Sequence, residues 1–75
     1  MTYVIISGKP AGEVNHRAKF WTNSLEKAKE CEAVLDAEVA ACGGEHIGQF
    51  YNEWLWGPHI HEGTGLIDEE TVEWK

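Results

Sequence analysis

The sequence predicts an α+β domain, with an antiparallel sheet of three or four strands packed on one long helix at about residues 24–42. Three observations carry that prediction. Residues 14–22 alternate between two faces, as a half-buried strand does. Residues 25–42 place apolar side chains at three- and four-residue steps, as an amphipathic helix does. Glycine and proline punctuate the joins at 8–12, 43–44 and 57–58. The 75 residues make a single domain, 1–75. A chain this short buries only about 60% of its unfolded surface, so its core must be small. Its 43% apolar content argues against disorder.

The first strand is "TYVIIS" (2–7), β-branched and aromatic. "GKPAGE" (8–13) reads as a turn or loop. The strand at 14–22 pairs back on the first as a hairpin, with Val14, His16, Ala18 and Phe20 on one face and Asn15, Arg17, Lys19 and Trp21 on the other. The helix opens with Asn23 and Glu26 at the spacing of a capping box, in which each side chain satisfies the other's backbone donor. Its apolar stripe is Leu25, Ala28, Cys31, Leu35, Val39 and Cys42, and Gly43–Gly44 ends it. "EHIGQFYNEWLW" (45–56) fits a strand, with a second short helix as the alternative. Ile47, Phe50, Tyr51, Trp54 and Leu55 match a helical stripe, while Gly48 and the aromatic content oppose it. After the break at 57–59, residues 60–75 read as one or two short strands around a turn at Asp68–Glu70, with Val72 and Trp74 pointing the same way.

The net charge is −7 and the pI is near 4.9. That disfavours direct nucleic-acid binding, which needs cations against phosphate, and docking to an anionic membrane. The charge is lopsided. Residues 1–23 sum to +2, from Lys9, Arg17 and Lys19 against Glu13, and residues 24–75 sum to −9. A basic partner would be attracted to the later part of the chain. The apolar run near the N-terminus is too short for a signal-peptide core or a membrane span. Cys31 and Cys42, if both lie on the helix, sit about 16 Å apart along its axis, beyond the roughly 7 Å that a disulfide allows. Reduced cysteines fit a cytoplasmic setting.

No pattern for catalysis is present. The cysteines lie in mid-helix with nothing to lower their pKa, no GxSxG occurs, and "GKPAG" lacks the P-loop spacing. The expectation is a protein that is not an enzyme and needs no cofactor. His59 and His61 stand two apart, so on a strand they face the same side and could share a metal. The pair resembles the HxH of cupins without that pattern's spaced Glu and second His. A zinc site needs further ligands, and His16 or His46 would have to be brought close. Exposed or turn-capping histidines are the plainer reading. The carboxylates have their own plain reading, a solvated surface that keeps the chain soluble. Their functional reading is a face for a basic groove. In it Asp36, Glu53, Asp68, Glu69, Glu70 and Glu73 supply the charge, and Trp54, Trp56 or Trp74 the dry anchors.

The size, acidity, reduced cysteines and hairpin–helix–strand plan resemble small proteins encoded by bacteriophages, anti-CRISPR proteins and phage inhibitors of host polymerases or nucleases among them. The resemblance covers the whole chain in architecture and composition, and no family motif is matched. It implies stoichiometric inhibition, by binding the basic surface of a bacterial protein such as a CRISPR effector complex, without turnover. Two alternatives stand beside it. One is a metal-binding module built on His59 and His61. The other is a small homodimer whose exposed tryptophans form the self-interface. The chain is thus expected to be a monomer or a homodimer.

Overall fold

A computed structural model describes residues 1–9, 16–41 and 57–75. Its elements are β1 (Tyr3–Lys9), β2 (His16–Thr22), α1 (Leu25–Ala41), β3 (His59–Glu62) and β4 (Val72–Glu73). They form the expected α+β fold, a four-strand sheet in the order β3-β1-β2-β4 packed against one long helix. β1 pairs antiparallel with both β2 and β3. β4 pairs parallel with β2 through Phe20↔Val72 and Trp21↔Glu73, so the sheet is mixed rather than purely antiparallel.

The hairpin runs longer than the sequence suggested. Gly8 and Lys9, expected in the turn, pair with Arg17 and His16. The alternation of β2 holds where side chains are described. Ala18 and Phe20 join Ile5, Ala28, Cys31 and Leu35 in the core beneath the helix, so Lys19 and Trp21 lie on the other face. Tyr3, Ile60 and Trp74 pack around that core. Val4 and Ile6 point away from α1 and are nevertheless buried, so central β1 is apolar on both faces.

The helix start departs from the expected capping box. Ser24 is the N-cap: its Oγ accepts from the Lys27 amide at 3.3 Å and its carbonyl from the Ala28 amide at 2.9 Å. Asn23 lies one residue earlier, and its Oδ1 accepts from the Thr2 hydroxyl at 2.9 Å. Position N3 is therefore Lys27, which has no carboxylate to complete the box. The buried stripe is Ala28, Cys31 and Leu35, with Val39 half-buried. Leu25, expected in the stripe, occupies the first helical position and stays 45% exposed. Cys42, the Gly43–Gly44 stop and the strand-or-helix question at 45–56 lie outside the described residues. Gly63 follows β3 at φ 105°, a conformation that glycine takes without a Cβ clash, and its amide donates to the Thr2 carbonyl at 2.8 Å.

Candidate functional site

The acidic candidates gather around the C-terminal turn. Asp68 organises it. Its Oδ1 accepts from the Glu70 amide at 2.9 Å and from the Thr71 hydroxyl at 3.1 Å, and its carbonyl accepts from the Thr71 amide at 3.1 Å. The Asp68 amide in turn donates to the Thr71 Oγ1 at 3.0 Å. Asp68 also forms an ion pair with Lys19 of β2. The Lys19 ammonium, then the Glu70 amide and the Thr71 hydroxyl, hold the Asp68 carboxyl below its ordinary pKa. Asp68 is thus an internal tether with its charge already met. Glu69 and Glu70 at the turn tip and Glu73 on β4 are exposed. The same limb also exposes the apolar side chains Leu66 (41%), Ile67 (37%) and Val72 (58%), Val72 on the face of its register partner Phe20 and Glu73 on that of Trp21.

Asp36 is exposed on α1 and lies close to Gly57. The helix packs on one face of the sheet, and Lys19, to which Asp68 is tied, belongs to the other. The fold therefore sets Asp36 apart from the acidic turn. Glu53, Trp54 and Trp56 fall outside the described residues. Trp74 is half-buried; its ring meets Phe20 edge to face at 5.3 Å and 79°, and its Nε1 donates to Glu30 Oε2 at 3.3 Å. Trp21, not among the expected anchors, is half-buried on the face away from the helix. It stands in a cross-strand row with His61, Val4 and Glu73.

His59 and His61 do share a face, as the two-residue spacing requires. They flank Ile60, which packs in the core, so both point away from α1, opposite Ile6 and Val4. Both are exposed. The backbone of His16 sits at the far end of β2, opposite Lys9, and His46 is outside the described residues. Among the described residues no group of three or more His, Cys, Asp or Glu is placed to hold a metal ion. Cys31 is a buried free thiol whose pKa is pushed up to about 11 by burial and then by Glu30 and Glu38, the reverse of what a nucleophile needs. Among the described residues, no helix is long and apolar enough to cross a membrane.

Three participants lie outside the sequence expectation: Lys19 as the partner of Asp68, Glu30 as the acceptor for Trp74, and the exposed pair Leu66–Ile67. Residues 30–74 contain no lysine or arginine at all, so no cation within that stretch could meet Asp68. The chain matches no protein-family model, no curated protein and no solved structure.

Proposed function

We propose that the protein is a small, non-catalytic, protein-binding inhibitor of bacteriophage type, working in the cytoplasm of a bacterial host. It sets an acidic face with tryptophan anchors against the basic nucleic-acid-binding surface of a bacterial protein or complex, a CRISPR effector being one such target. The observation that carries this reading is that one stretch, free of lysine and arginine from Glu62 to Trp74, exposes Glu69, Glu70 and Glu73 together with Leu66 and Ile67. Carboxylates steer a cationic surface into register, and apolar contacts supply the affinity that screened charge does not. Half-buried Trp74 and Trp21 join Trp54 and Trp56 as candidate anchors.

The test is capture from a bacterial lysate on the immobilised full chain. At about 50 mM salt the captured proteins should be nucleic-acid binders, released by excess duplex DNA and by about 300 mM salt. Glu69→Lys with Glu70→Lys should reduce capture about tenfold, the loss that like-charge contact produces. Capture indifferent to salt, DNA and both substitutions would overturn the reading. The shared face of His59 and His61 favours a second reading, a metal-binding module completed by a ligand from elsewhere. Zinc titration of tag-free protein decides it, since absence of a stoichiometric binding step removes that reading.

A further inference from the structure

Residues 63–75 join the two edges of the sheet. β3 lies at one edge and β4 at the other, so the connection crosses both β1 and β2. Asp68 meets Lys19 on the face away from α1, which places the crossing on that face. Most of the hydrogen bonds in the limb are its own: those of Asp68 with Glu70 and Thr71, and the Thr71 hydroxyl to the Leu66 carbonyl at 3.5 Å. They shape the turn without attaching it to anything.

Among the described residues, attachment to the body rests on few contacts. They are the Lys19–Asp68 pair, a two-residue β4 beside a seven-residue β2, the Trp74 amide on the Trp21 carbonyl at 2.8 Å, and the Trp74 ring on Phe20 and Glu30. Residues 64–70, 72 and 73 are exposed. Segments with little buried apolar surface open at a lower free energy than the whole domain, as cooperative units. The body is held differently, by seven paired positions between β1 and β2 and a sealed apolar core.

We propose that residues 64–75 form a strap that detaches from the sheet as one unit about Gly63, with β1, β2, β3 and α1 remaining folded, and with the Lys19–Asp68 pair and Trp74 as its fasteners. Detachment uncovers the outer edge of β2 at Phe20 and Trp21 together with the Phe20 ring. It frees the Lys19 ammonium and carries Glu69, Glu70 and Glu73 away from the body. The strap is therefore a switch that rearranges charge and exposes a strand edge in a single motion. It holds whether or not the inhibitor reading does.

Native-state hydrogen exchange on the full chain tests it, with the Trp74 amide reporting on the strap and the Ile5 and Leu35 amides on the body. The Trp74 amide should exchange about a hundredfold faster than that of Ile5. Lys19→Met and, independently, Trp74→Phe should each speed the backbone amide at position 74 about tenfold while leaving Ile5 and Leu35 unchanged. Exchange of Trp74 at the rate of Ile5, or variants that accelerate all three amides together, would show that the limb opens only with the whole domain and would overturn the proposal.

Discussion

The hairpin and helix on one side, and the C-terminal limb on the other, are stabilised by different physics. The body packs Ile5, Ala18, Ala28, Cys31 and Leu35 into one apolar cluster between the sheet and the helix. Apolar burial of this kind contributes about 25 cal/mol per Å² and needs no partner geometry beyond close packing. The limb buries little. It is shaped by polar contacts around Asp68 and, among the described residues, attached by the Lys19–Asp68 ion pair, the short pairing of β4 with β2, and the Trp74 amide and ring. Carboxylates cost little where water reaches them and much where it does not. Both regions carry exposed carboxylates, Glu26, Glu30, Asp36 and Glu38 on α1 and Glu69, Glu70 and Glu73 on the limb, but on α1 they share the helix with Lys27 and Lys29, while Glu62 to Trp74 contains no lysine or arginine.

The hardest blow to that contrast comes from the body. Ile5→Ala empties the centre of the core and should destabilise the fold by about 2–5 kcal/mol, comparable to the whole stability expected of so small a core. Urea denaturation followed by circular dichroism should find the variant largely unfolded at room temperature. A loss below about 1 kcal/mol would mean that the core is not the source of stability.

A smaller effect sits at the helix start. Ser24→Ala should cost about 1 kcal/mol as a lost N-cap, seen as a lower urea midpoint at unchanged slope. Asn23→Ala removes only an exposed contact to Thr2 and should cost less. The opposite ranking would return the cap to Asn23.

The finest probe is pH, because the two regions titrate at opposite ends. The Asp68 carboxyl is held low in the folded state, so the strap is fully fastened above the ordinary carboxylate pKa near about 4 and loosens as pH falls through the folded value. The Cys31 thiol is held high, so its contribution to the body is complete below the ordinary value of 9.0 and is lost as pH rises towards about 11. Hydrogen exchange extrapolated across pH should show the acid sensitivity at Trp74 and not at Ile5. Asp68→Asn should abolish it, and an acid response equal at both amides would erase the contrast.

Much of the fold was legible before any coordinates. The two faces of β2, the positions of Ala28, Cys31 and Leu35, the turn at Asp68–Glu70 and the shared direction of His59 and His61 follow from periods of two and 3.6 residues. What was not legible has physical causes. Asn23 and Ser24 are adjacent residues that both cap well, and only the competing hydrogen bond from Thr2 decides between them. The Lys19–Asp68 pair spans forty-nine positions and depends on which face the last connection crosses. Of the candidate site, Glu69, Glu70 and Glu73 are exposed near one another in sequence, Asp36 is set on the helix side, and Asp68 is occupied by Lys19.

Local pattern along the chain, though not enough for the extension of β1 to Lys9 or the start of β3 at His59, was enough for the hairpin, the helix, which of their sides are apolar, and the lack of cations in the later part of the chain. Those are properties of neighbouring residues, set by backbone geometry and counted along the chain. Only the tertiary structure decided that β4 joins β2 in parallel and that Trp74 closes on Phe20 and Glu30. A two-residue strand carries too little pattern to specify its partner. Its place is set by where the nine-residue crossing 63–71, tied at Lys19, delivers it.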